Sequence, residues 1–256
     1  MGKKIVLGAV VLAVVGGVAF SQVASGVTSL PSSKAAVALG DLIDLLALAS
    51  YTGALADDTG YVTVMQTYIK PPNMKDLSAD VAIQCGIVTD TTVRSKNGSL
   101  DISQAKGWVS TRVKATNADG SVVRYFEPSE EGTLPDGTPV GVTYCSRLQR
   151  LEARFSGLNC TTDLVTGVVT CADPETLRLL LETLDANSFN YLMPDVAPGV
   201  WKVEVQARAQ ANVLLDGDGG GLGSAGAKAF VGLGATRIET LRLIKDAELG
   251  PIVELE

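Results

Sequence analysis

From Trp201 to Ala211 every second residue is apolar (Trp201, Val203, Val205, Ala207, Ala209, Ala211), while Lys202, Glu204, Gln206, Arg208 and Gln210 fill the gaps. A period of two puts the first set on one face of an extended strand and the second on the other, so this segment belongs at the wall of an antiparallel sheet with one dry side. Val81, Ile83, Cys85 and Ile87 repeat the pattern. Further strands are expected over residues 61–69, closed by Pro71 and Pro72, and over 107–116 and 121–126, joined by the turn residues Asn117–Gly120. A long strand should run from Val140 to Leu158, with a bulge near Leu148 where the alternation slips. Two more are expected at about 199–215 and 227–244. Roughly eight strands separated by turns predict an all-β fold, an antiparallel β-sandwich or jelly roll.

Two helices are expected beside the strands. Ser33 can cap a helix over Lys34–Ser50, with Leu39, Leu42, Ile43 and Leu46 on one face. Asp173 and Pro174 suit the cap and first position of a second, with Leu177, Leu180, Leu181 and Leu184 sharing a stripe.

The chain opens with Lys3 and Lys4, an apolar run from Ile5 to Phe20 and the small-residue step Ala19-Phe20-Ser21. These features predict a secretory signal peptide over residues 1–21, the run being short for a membrane span. Export places the chain outside the cell. Residues 22–33 are small and polar and read as an extended arm, and residues 34–256 as one sandwich domain with helical insertions. Loss of the two leader lysines takes the net charge from −7 to about −9. Such a chain repels nucleic acid and anionic lipid and attracts cations.

The 256 residues contain no histidine, which removes triads, imidazole bases and histidine metal sites together. The acids Glu127, Glu130 and Glu131 lie in a Gly- and Pro-rich loop and read as solvated turn residues, so no enzymatic activity is expected. Gly221, Gly223 and Gly226 match G-x-G-x-x-G, but they lie between alternating, strand-like runs rather than between a buried strand and a helix. They are expected to form a hairpin tip.

Four cysteines in an exported chain predict two disulfides, with three pairings open. Thr166-Gly167 can reverse the chain between Cys160 and Cys171, which leaves Cys85 for Cys145. Calcium is the cofactor to consider, since it takes hard oxygens gathered by turns. The candidate oxygen-donor pairs are Asp216 with Asp218, Asn117 with Asp119, and Asp57 with Asp58. Asn97 and, less favourably, Asn159 head glycosylation sequons.

The stretches SADVAIQCGIVTDTTVRSKNG (78–98) and VTYCSRLQRLEARFSGL (142–158) resemble the cannula proteins of hyperthermophilic archaea, which build extracellular tubes. The resemblance implies a jelly-roll-like subunit that polymerises with its own copies by donor-strand exchange, with calcium at subunit contacts. The residues alone point the same way, because an extended arm can complete an open sheet edge. The expectation is a self-assembling extracellular filament or tube subunit. The alternative is a monomeric carbohydrate-binding or adhesion module, for which Trp108 and Trp201 are the stacking candidates.

Overall fold

The structure, a computed structural model, describes residues 30–40, 45–50, 53–95, 100–154, 160–171, 175–217 and 223–242. Thirteen strands make up the regular structure of these residues: β1 (Ala35–Gly40), β2 (Leu45–Ser50), β3 (Ala56–Asp58), β4 (Val62–Ile69), β5 (Lys75–Ser95), β6 (Leu100–Asn117), β7 (Val123–Tyr125), β8 (Val142–Arg154), β9 (Cys160–Thr162), β10 (Val169–Cys171), β11 (Glu175–Val196), β12 (Trp201–Gly217) and β13 (Ser224–Leu241). The all-β expectation therefore holds. All the pairings among them are antiparallel.

One sheet has the order β1-β13-β5-β11, with β2 also on β13, and the other the order β3-β12-β6-β7, with β4 on β12 and β8 on β6. β1 and β2 pair with successive parts of β13, so they act as one interrupted strand, and the same holds for β3 with β4 and for β7 with β8. Counted this way, eight strand positions run in sheet orders 1-8-3-6 and 2-7-4-5. Two interleaved four-stranded antiparallel sheets in this order are a jelly roll.

The long strands run between two ends of the sandwich. The tryptophan pole holds Ile69, Asn117, Val123 and Trp201, joined by register. The glycine pole holds Ser95, Leu100, Arg154, Glu175, Gly217 and Ser224. Inner faces fill according to the alternation. Tyr191, Met193, Ile69, Leu77, Trp201 and Ile238 pack toward the tryptophan pole, while Ala207, Ala209 and Ala211 of β12 share the core with Ala225, Ala227 and Ala229 of β13. Small side chains there let the sheets approach: a Cβ on Gly107 would stand 2.9 Å from Ile87 Cγ2 of the other sheet.

Four expectations are corrected. Within the helix expected over Lys34–Ser50, Ala35–Gly40 and Leu45–Ser50 instead form β1 and β2, and β13 supplies the reason: both find ladder partners there. The second expected helix is instead β11, a 22-residue strand paired along nearly its whole length with β5. Leucine favours a helix only weakly, and a complete hydrogen-bonded partner outweighs that preference. Asp173 and Pro174 lie outside the described residues. The glycine-rich stretch after Gly217 is not a hairpin tip, because β12 and β13 belong to different sheets and the chain crosses from one to the other. Gly223 is needed at this crossing, where a Cβ would collide with the Thr92 carbonyl oxygen. The bulge in β8 falls at Tyr144, where Val109 pairs with Cys145 and Ser110 with Thr143, rather than near Leu148.

Cys85 of β5 and Cys145 of β8 form a disulfide that joins the two sheets. Cys160 and Cys171 stand directly opposite in the β9–β10 ladder, their side chains being outside those described. The leader residues, most of the arm, and the sequons at Asn97 and Asn159 also lie outside the described residues.

Candidate functional site

A jelly roll has two open sides, and one of them here is bordered by β11 and β8. β11 pairs with β5 on one edge; on the other, the isolated Glu127↔Leu192 bridge is its one backbone ladder partner among the described residues. Leu192 donates to the Glu127 carbonyl at 2.6 Å and accepts from the Glu127 amide at 2.8 Å. Amides along a strand point alternately left and right. With unbroken register from Leu192 back to Glu175, the amides of Leu180, Glu182, Leu184, Ala186, Ser188 and Asn190 therefore face the same open edge.

Side chains on this strand are unusually apolar for an edge. Leu180 and Leu184, on the outer face, are 55% and 60% exposed. Leu177, Leu179 and Leu181 stand opposite the buried Val93, Thr91 and Thr89 and so face the interior, yet they are 48%, 38% and 40% exposed. The interior side of the edge is thus incompletely covered. Natural edges are usually shielded by charge, proline or a covering segment, and between Thr176 and Leu192 the charges on β11 are Arg178, held by Asp90 through Nε at 2.9 Å and Nη2 at 2.6 Å, Glu182 and Asp185.

β8 is tied to β11 across the gap by side chains. Gln149, buried, donates to the Leu179 carbonyl at 2.7 Å and to Thr91 Oγ1 at 2.5 Å, and accepts from Thr89 Oγ1 at 2.7 Å. Asn187 donates to the Tyr144 carbonyl at 2.8 Å, and Arg147 donates to Thr183. Arg147 Nη1 is buried with no hydrogen-bond partner, beside a cleft of about 110 Å³ lined by Thr183, Asp185 and Asn187. A buried unpaired donor favours any incoming carbonyl. Burial pushes the Tyr144 hydroxyl up to about 12, and it donates to the Val81 carbonyl at 2.9 Å. Tyr191 is pushed further by the same desolvation.

The described residues named for calcium make the following contacts. Asp58 forms a two-pronged pair with Arg208, whose Nε lies 2.7 Å from Oδ1, and that bond holds its carboxyl below the usual range. Asp57 accepts the Leu48 amide at 2.8 Å and the Asp58 amide at 2.9 Å. Asn117 and Asp119 close their own turn, accepting from the Val122 and Ser121 amides at 2.9 Å each. Asp216 is the last residue but one of β12, and Asp218 lies outside the described residues. Among the described residues no three Cys, Asp or Glu side chains cluster as a metal site.

Neither tryptophan presents an open platform for a sugar. Trp201 is buried and its indole donates to the Ala197 carbonyl at 2.9 Å. Trp108 is half-buried with Lys106 Nζ 4.5 Å from its ring centroid.

The fold and this edge define the chain as a jelly-roll protein in which the outer edge of β11 is unpaired along most of its length among the described residues. No protein-family model and no curated protein matches it. Among solved structures it aligns with the infectious bursal disease virus Gx strain at 9% identity and a TM-score of 0.18, covering 85% of this chain and 42% of that one. The VP2 subviral particle of the same virus aligns at 13% identity and a TM-score of 0.16, covering 82% and 42%. The chain spans less than half of these virus chains, and scores this low do not establish a shared fold. The jelly-roll assignment rests on strand order.

Proposed function

We infer that this chain is an exported structural subunit that assembles with its own copies by strand addition at the open edge of β11. The observation that carries the reading is that edge: 22 residues long, unpaired along most of its outer side among the described residues, with leucines exposed on both faces. A strand laid along it gains main-chain bonds to the outward amides and covers the leucines. The disulfide fits an oxidising, extracellular setting.

The donor is the N-terminal arm of a neighbour. Its described end is fixed at the tryptophan pole, where Lys70 Nζ donates to the Leu30 carbonyl at 2.6 Å and the Lys70 amide to Ser33 Oγ at 3.0 Å. The eight residues before that fixed end, 22–29, reach roughly 26 Å when extended, about a third of the span of β11. Calcium promotes assembly by neutralising repulsion between acidic copies.

The test is electron microscopy and pelleting of residues 22–256, with and without millimolar calcium, beside a chain lacking Gln22–Ser33. Regular polymers from the longer chain and dispersed particles from the shorter are expected. Equal polymerisation by both would sink the donor-strand reading.

A further inference from the structure

Among the described residues the β9–β10 hairpin pairs with no other sheet, and its tip is unusually apolar. Leu164 and Val165 are 94% and 93% exposed, the most exposed large apolar side chains among the described residues. The tip is nevertheless tightly built. The Asp163 amide donates to the Val168 carbonyl at 2.9 Å and the Gly167 amide to the Asp163 carbonyl at 2.8 Å, with Gly167 at φ 68°. Asp163 Oδ1 accepts the Val165 amide at 2.9 Å and Oδ2 the Thr166 hydroxyl at 2.7 Å. Two aliphatic side chains are thus held in solvent on a closed turn. Such a knob gives up little conformational freedom on docking.

A socket of matching character lies at the opposite pole. β8 ends and β11 begins at the glycine pole, so the hairpin between them springs from there. At the tryptophan pole a cleft of about 370 Å³ opens between the β6–β7 turn and the β11–β12 loop, its apolar part bordered by Ala118, Val122, Ala197, Pro198, Val200 and Trp201 and its polar part by Asn117, Asp119, Arg124 and Asp195. Val122 is itself 42% exposed at the rim. The cleft has room for two branched aliphatic side chains. A knob and a socket on opposite poles of one chain cannot meet within it, but they meet between copies stacked head to tail, and such heterologous contacts extend without closing.

We propose that Leu164 and Val165 of one copy seat in the Val122–Pro198–Trp201 cleft of the next, forming an axial contact of the assembly. The proposal rests on the assembly reading and adds a second interface to it. The two contacts are compatible. An arm leaving the tryptophan pole enters the neighbour whose glycine pole faces it, and runs antiparallel to that neighbour's β11 from its Glu175 end.

Photo-crosslinking tests it, with p-benzoylphenylalanine in place of Val165 in residues 22–256 under assembling conditions. Intermolecular cross-links mapped by mass spectrometry to residues 117–125 or 195–201 are the expected result. Cross-links elsewhere on a neighbour, on lipid or on an unrelated protein overturn the proposal. A chain that stays monomeric with no intermolecular cross-link overturns it together with the assembly reading. The double variant Leu164→Asp/Val165→Asp should lower the pelletable fraction at least tenfold with an unchanged melting curve, since both positions touch only solvent. An unchanged pelletable fraction counts against the contact. Loss of assembly on deleting the arm, with cross-links mapping away from the cleft, separates failure of the knob from failure of strand addition.

Discussion

The Cys85–Cys145 bond spans 60 residues and ties β5 of one sheet to β8 of the other. In the chain-entropy model, closing a loop of n residues removes about 2.1 + 1.5R ln n cal/mol/K from the unfolded ensemble, or about 4 kcal/mol for this loop at 25 °C. Cys85→Ala/Cys145→Ala removes the constraint while leaving two small buried side chains. Urea unfolding followed by circular dichroism should show a stability loss of about 4 kcal/mol. At a slope of roughly 2.5–3 kcal/mol/M the midpoint falls by about 1.5 M. Because the bond also holds β8 beside β11, hydrogen exchange near Thr183–Asn187 should quicken in the variant. A loss below about 1 kcal/mol with unchanged exchange would refute the reasoning, because it would mean that the sheets are held in place without the bond.

Leu180→Pro/Leu184→Pro deletes two outward-facing amides while leaving the inner ladder intact. The variant is expected to stay folded by circular dichroism and to lose assembly. Gly223→Ala puts a methyl against the Thr92 carbonyl, and thermal melting should report a loss of about 1–3 kcal/mol. Asp58→Asn breaks the pair with Arg208. Because the Asp58 carboxyl is held below its ordinary 3.8, the pair stabilises the fold above that pH. The deficit of the variant should therefore be full at pH 7 and shrink as pH falls below 3.8, read by urea midpoints across pH 2–7. Tyr61 and Tyr144, both pushed up by burial to about 12, bind their protons more tightly when folded. Their contribution to stability is full below pH 10 and lost as pH rises toward 12, so absorbance titration should find them ionising well above pH 10 and together with alkaline unfolding.

The alternations of Val81–Ile87 and Trp201–Ala211 made the fold class legible, because a period of two can serve only a sheet face. The Cys85–Cys145 pairing was reachable by elimination. The candidate edge was not. Leu177, Leu180, Leu181 and Leu184 satisfy a helical stripe and a two-faced strand equally well, and only the 21-residue partner β5 decides between them. Phe189, Tyr191 and Met193, alternating with Ser188, Asn190 and Leu192, were the local signal that the segment is extended. The glycine run misled for a related reason: it marks a change of direction, but whether the chain turns back into its own sheet or crosses to the other depends on which strands lie alongside. The hairpin knob and its cleft are assembled from segments far apart in the sequence, so no local pattern announces their match.

Strand addition at β11 is tested most directly by amide hydrogen exchange of residues 22–256 in the assembled and dispersed states. The account predicts that the outward amides of Leu180 and Glu182 gain at least tenfold protection on assembly, and that the gain vanishes when Gln22–Ser33 is deleted. Assembled protein in which those amides exchange as fast as in the dispersed chain would contradict it.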